Sequence, residues 1–246
     1  MKIRMQFAKY GSMAYIGHLD VMRYFQKALR RAKVELVFTQ GFSPHPVLSF
    51  ASPLGVGAES IGEYADLEVD QTDSTAAMLE RLNAAMVPGI EVLDWRLLPD
   101  NAPNAMSSVS AADYQVSFRK GIFEEKFGDI AAFTEGFEDF LKQDQILAEK
   151  ETKKGSKLLD IKPLILEYAV KTDEETREPL CFFRVSAGSA GNLKPELILM
   201  AYAKEKATDI SRDALRIVRL ETYCLMGEEG KERLVPLREA GNVIET

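Results

Sequence analysis

The segment Gln40-Gly41-Phe42-Ser43-Pro44-His45-Pro46 can be neither helix nor central strand. Its two prolines fix φ and remove backbone donors, and its glycine marks a special backbone geometry at the turn. It sits inside the most informative stretch of the chain, Tyr15 to Leu54, which also holds both histidines, His18 and His45. Upstream of the loop, Leu19, Met22, Phe25, Leu29 and Ala32 read as one apolar stripe on a helical wheel, with Arg23, Lys27, Arg30 and Arg31 on the opposite side. The spacing predicts an amphipathic helix over about 19–33 with a basic outer face, then a rigid loop that presents His45. Phe42 is expected to anchor that loop in the core, where Phe42→Ala would cost about 3 kcal/mol or more.

The net charge of -7 over 246 residues argues against a protein coated in positive charge for indiscriminate nucleic-acid binding. Any such contact must be local, and the charge distribution offers one. In the first fifty residues Lys2, Arg4, Lys9, Arg23, Lys27, Arg30, Arg31 and Lys33 face only Asp20 and Glu35, so the acidic excess belongs to the remainder. The two cysteines, Cys181 and Cys224, stand far apart and imply neither a disulfide framework nor a zinc ribbon. The first residues, Met1 to Phe7, alternate like a strand rather than a leader. No run reaches the ~18 apolar residues of a membrane span, so no membrane partner and a cytoplasmic location are expected.

Patterning along the chain predicts an α+β fold of two tandem ferredoxin-like (βαββαβ) units. The first, over 1–98, reads as a strand at 2–9, the basic helix, a strand Val34 to Thr39, extended segments Val47 to Phe50 and Glu63 to Val69, a helix Ser74 to Met86 and a strand Glu91 to Leu98. Residues 99–111, with two prolines, two asparagines and few bulky apolar side chains, read as a linker. The second unit, 112–246, begins with a strand through Tyr114, Val116 and Phe118, then a helical region Ile122 to Leu141. A further strand starts at Gln145, before a basic stretch Lys150 to Lys157. A long hairpin pairs Leu164 to Lys171 with Cys181 to Ser186. A helix Pro195 to Ala203 and a strand Leu215 to Leu225 follow, with a loose charged tail or short hairpin at the end.

The run Gly17-His18-Leu19-Asp20, the arginines Arg23, Arg30 and Arg31, the segment Gln40 to Pro46, and Ser49-Phe50 with Pro53-Leu54 resemble the radical-SAM-linked family, a domain of unknown function. Leu159 to Pro163 and Gly191 to Glu196 extend the likeness more thinly. Such domains occur alone or fused to the C-terminal end of a radical SAM enzyme. The resemblance therefore implies a radical SAM enzyme as partner. The chain is not itself that enzyme, because its two separated cysteines are fewer than the three closely spaced thiolates that hold the iron-sulfur cluster.

Three constellations could carry chemistry. His18, His45 and Tyr15 would suit acid-base work such as removing a proton from an RNA 2′-hydroxyl, or else His18 orients the helix start and His45 pins the loop. Asp20, Glu59, Glu63 and Asp66 offer the oxygen ligands Mg²⁺ prefers. Asp20, however, could equally pair with Arg23 or Arg31, and Glu63 and Asp66 alternate faces of a strand, so no metal and no cofactor are expected. The loop Ala187 to Pro195 would place backbone N–H groups and Lys194 around an RNA phosphate, or serve as a plain connection. The leading expectation is an accessory protein that binds RNA or a ribosomal substrate through Arg23, Lys27, Arg30, Arg31 and Lys194, with Gly41, Phe42, Pro44 and Pro46 shaping the motif loop. The rivals are a metal-independent ribonuclease or RNA-modifying enzyme that uses His18 and His45, and a protein-only adaptor.

Overall fold

In the computed structural model, which describes residues 1–152, 155–189, 191–228 and 230–245, the chain is a mixed α/β protein in two units. One comprises Met1–Ala111 and Arg219–Thr246, the other Ala112–Val218. In chain order the elements are β1 (Lys2–Lys9), a 3₁₀ turn Gly11–Tyr15, α1 (His18–Arg31), β2 (Leu48–Phe50), β3 (Glu59–Glu68), α2 (Thr75–Asn83), β4 (Ile90–Leu97), α3 (Ala105–Ser108) and β5 (Val109–Phe118). They continue with α4 (Ile122–Lys126), α5 (Ile130–Lys142), β6 (Leu147–Thr152), β7 (Gly155–Asp160), β8 (Ile165–Thr172), β9 (Pro179–Ser186), α6 (Glu196–Glu205), β10 (Leu215–Met226), β11 (Arg233–Pro236) and β12 (Asn242–Val243). Strands β5 and β10 have residues in both units.

In the first unit the hydrogen-bonded order is β12-β4-β1-β3-β10, with β2 added to β3 and β11 to β10. Strand β1 runs antiparallel to both β3 and β4. Its side chains alternate as a strand requires: Ile3, Met5 and Phe7 enter the apolar core with Leu67, Val92 and Trp95, while Arg4 and Gln6 are buried outside it, as is Lys9 beyond a register shift that follows Phe7. Helix α1 adds Val21, Phe25, Ala28 and Leu29 to that core, with Ala32 just beyond its end. Leu19, expected in the same stripe, is 61% exposed, and Met22 is only half-buried. At about 100° per residue Leu19 lies roughly 120° round the helix from Phe25, whereas Val21 lies roughly 40° away. The true stripe keeps Phe25, Leu29 and Ala32 and takes in Val21 and Ala28 in place of Leu19.

The strand expected over Val34 to Thr39 exists only as two isolated bridges, Leu36 to Val69 and Phe38 to Pro46. Pro44 and Pro46 cannot donate to a ladder, and β2 is accordingly three residues long. The C-terminal residues, expected as a loose tail or short hairpin of the second unit, belong to the first, where β11 pairs with β10. Strand β12 pairs with β4, and Thr75 and Ile244 exchange two hydrogen bonds of 2.9 Å.

The second unit has the order β10-β5-β9-β8, and β6 and β7 form a separate two-stranded sheet. Alternation along β9 buries Cys181, Phe183 and Val185. Helix α5 buries Phe133, Phe137, Phe140 and Leu141, at i, i+4, i+7 and i+8, and Tyr202 of α6 packs among their rings, 4.9 Å from Phe137 between centroids. The single helical region read from Ile122 to Leu141 is two helices. Gly128, at φ +71°, breaks the chain between them, and the Asp129 carboxylate caps α5 by accepting from the N–H groups of Ala131 and Ala132. Among the described residues no helix is long and apolar enough to cross a membrane.

Candidate functional site

With Val21, Phe25 and Ala28 turned inward, α1 presents an outer ridge of Leu19, Arg23, Lys27 and Arg30, spaced i, i+4, i+8 and i+11. All four are exposed, and Tyr15, 60% exposed, precedes them by one turn. Arg23 meets Asp20 at 3.3 Å, a solvent-exposed pair worth little. Among the described residues Lys27 and Arg30 make no ion pair. Arg31 is committed differently: it donates to the Ala85 carbonyl at 2.9 Å and lies 5.9 Å from the Tyr24 ring centroid. Three cations rather than four therefore remain for a ligand on this ridge, with an aromatic and an aliphatic side chain at its head.

The two histidines have separate settings. His18, the first residue of α1, packs edge-on against the core ring Phe50 at 5.3 Å. His45 is exposed and tied within its own loop, where its Nδ1 lies 3.1 Å from Thr39 Oγ1 and 3.3 Å from the Ser43 carbonyl. Both contacts fall on Nδ1, which leaves Nε2 without a partner in the loop. The backbone closes the same loop, with Thr39 N–H donating to the His45 carbonyl at 2.9 Å. Gly41, at φ +120°, supplies a turn that a side chain would strain. Pro46 is the buried member of the motif, while Pro44 is exposed. Phe42, expected as the anchor, is fully exposed. The loop is pinned by hydrogen bonds and Pro46, which leaves the Phe42 ring available to solvent.

Beneath this region lies a buried ionic group that the sequence reading missed. Lys9 is 3% exposed, and its Nζ donates to the Ala14 carbonyl at 3.3 Å, holding the 3₁₀ turn that carries Tyr15. Arg219 donates to Glu63 and to the Ser52 carbonyl, both at 2.8 Å. Burial pushes the Lys9 ammonium below the ordinary lysine value of 10.5; nearby Glu63 pulls it back up and Arg219 pushes it further down. The unfolded chain thus binds this proton more tightly than the folded one, so the Lys9 contribution to stability rises with pH from its lowered value toward 10.5. In Lys9→Met, urea midpoints should climb less steeply over that range than in the unaltered protein; parallel curves would rule out this account.

The acidic residues that offer oxygen ligands for Mg²⁺ are taken up by other partners. Asp66 holds Arg4 at 2.8 and 2.9 Å, Glu63 holds Arg219, Asp20 holds Arg23, and Glu59 accepts from the Gly11 N–H at 3.0 Å. Among the described residues no group of three His, Cys, Asp or Glu could hold a metal ion. Lys194 is exposed beside the start of α6 in the second unit, where Glu196 pairs with Arg212 at 3.3 Å. Ala190 of the same loop, and Lys153 and Lys154 of the basic stretch, lie outside the described residues. Cys181 and Cys224 are both buried, and burial pushes both thiols up.

Over residues 2–195, which take in α1 and the motif loop and end just before α6, the chain matches the family described as "Uncharacterized protein conserved in bacteria (DUF2344)". The chain belongs to that family. No curated protein matches it. The family span includes β1, β3 and the whole α1 ridge, but not Arg219. Lys9 and Glu63 carried one legible signal, charged residues inside otherwise strand-like runs. Nothing in the local sequence pointed to Arg219 as their companion, because it lies 156 positions from Glu63.

Proposed function

We propose that this protein is a non-catalytic accessory protein that binds RNA along α1 and works beside a radical SAM enzyme. The observation that carries the RNA reading is the ridge Leu19, Arg23, Lys27 and Arg30, headed by Tyr15. Cations at successive helical turns suit a row of phosphates, and an exposed ring suits stacking on an unpaired base. The exposed Phe42 is a second ring of the same chemistry. The radical SAM association rests on the resemblance carried by Gly17 to Asp20 and Gln40 to Pro46. The strand orders β4-β1-β3 and β10-β5-β9-β8, with helices α1 and α2 in the first unit and α5 and α6 in the second, support reading both units as ferredoxin-like.

Three neutralised phosphates should give a slope near -2.1 in log affinity against log salt for single-stranded RNA, at about 0.7 per contact. Affinity should then fall about 20-fold between about 50 and 200 mM salt. Removing any one of Arg23, Lys27 or Arg30 should reduce the slope by about 0.7 and weaken all sequences alike, whereas Arg31→Ala should leave it nearly unchanged. The exposed His45 ring, held through Nδ1 alone, favours one rival, cleavage of RNA with His45 as base. Under that reading His45→Ala abolishes cleavage while sparing affinity. No RNA binding at low salt would remove both and leave the protein adaptor.

A further inference from the structure

The first unit carries a cleft of about 450 Å³ that neither α1 nor the motif loop helps to line. Arg4, Ser108, Ser110 and Cys224 form its less accessible lining, and Pro103 and Met226 are exposed at its edge. A guanidinium has five N–H groups. Arg4, 1% exposed, uses four of them: Nε and Nη2 on Asp66 at 2.8 and 2.9 Å, Nη1 on the Leu237 carbonyl at 3.0 Å, and Nη2 again on the Pro103 carbonyl at 3.2 Å. One Nη1 donor is left without a partner among the described residues. It belongs to a buried side chain that lines the cleft.

The serines present the opposite character. Ser107 and Ser108 donate their hydroxyl protons to the Asn104 carbonyl at 2.9 and 2.8 Å, and Ser110 donates to the Ser108 carbonyl at 3.1 Å. With those protons committed, each oxygen offers only lone pairs to a ligand. The cleft thus supplies one donor and up to three acceptors. Its charge is already balanced, since Asp66 neutralises Arg4 in a bidentate pair, so it suits a neutral ligand over an anion. Exposed proline and methionine side chains suit the flat faces of a ring.

We propose that this cleft binds a neutral nucleobase bearing an exocyclic amino group. A ring acceptor takes the remaining Arg4 N–H, and the amino group donates to the serine oxygens. Adenine and cytosine each place an amino donor beside a ring nitrogen acceptor, whereas uracil shows a carbonyl oxygen where cytosine shows its amine. The inference does not depend on RNA binding along α1, because free nucleosides test it directly. Calorimetric titration of the full chain with adenosine, cytidine and uridine should show saturable binding of the first two and at least about tenfold weaker binding of uridine. Ser107→Trp, at an exposed position lining the cleft, should abolish adenosine binding with an unchanged melting temperature, and Ser110→Ala should weaken it. Equal affinity for all three nucleosides, binding of none, or full adenosine binding by Ser107→Trp would each overturn the proposal.

Discussion

Phe25→Ala should lower the unfolding free energy by about 3–5 kcal/mol, as read from urea titration. Phe25 is fully buried, with Phe7 at 4.7 Å, Tyr24 at 5.6 Å and Phe50 at 5.8 Å between ring centroids. Its removal would open a cavity between α1 and the sheet that Val21 and Leu29 are too constrained to fill. Leu19→Ala, six residues earlier on the same helix, should change stability by no more than about 0.5 kcal/mol, since Leu19 is on the surface. Comparable losses in the two variants would mean that the helix is rotated from the position described.

Glu63→Leu should cost about 3–5 kcal/mol by leaving Arg219 and Lys9 as neighbouring buried cations without their carboxylate. Adding Arg219→Met to that variant should recover most of the loss, because a buried ion pair replaced whole by apolar groups is often close to neutral. A double-mutant cycle in urea measures the coupling directly. If the two losses simply add, the Arg219–Glu63 bond is not holding the Ser52 loop. The expected recovery would show that the pair positions this loop at the cost of stability that apolar residues could supply.

What the sequence disclosed follows from range. Local periodicity located β1, α1, α2, β4, β9 and α6 to within a few residues, because each carries its own alternation or helical stripe. The phase of α1 was misjudged because Leu19 and Met22 outweighed Val21 and Ala28, although a helix packs closely through its small residues. Phe42 misled in a similar way: an aromatic between a glycine and a proline looks like an anchor, yet the loop is held by Thr39, Ser43 and Pro46. For the candidate site, the ridge cations Arg23, Lys27 and Arg30 were visible as a basic face. The commitment of Arg31 to Ala85 was not, since it depends on a turn 54 residues away. The ionic group of Lys9, Glu63 and Arg219 and the cleft around Arg4 were out of reach for the same reason.

The return of residues after 219 to the first unit bears on how the protein is made. Arg4 donates to the carbonyl of Leu237, 233 positions later, and β10 supplies the neighbour of β3. A ribosome releasing the chain from its N-terminus delivers β1, α1 and β3 long before the strand that completes them. Meanwhile the second unit emerges as an uninterrupted block, Ala112–Val218. Domains generally fold as they emerge, so the later block is free to fold first, while β3 waits with an open edge. During that interval the unfinished edge is a template for non-native strand pairing, and residues from Arg219 onward close the first unit.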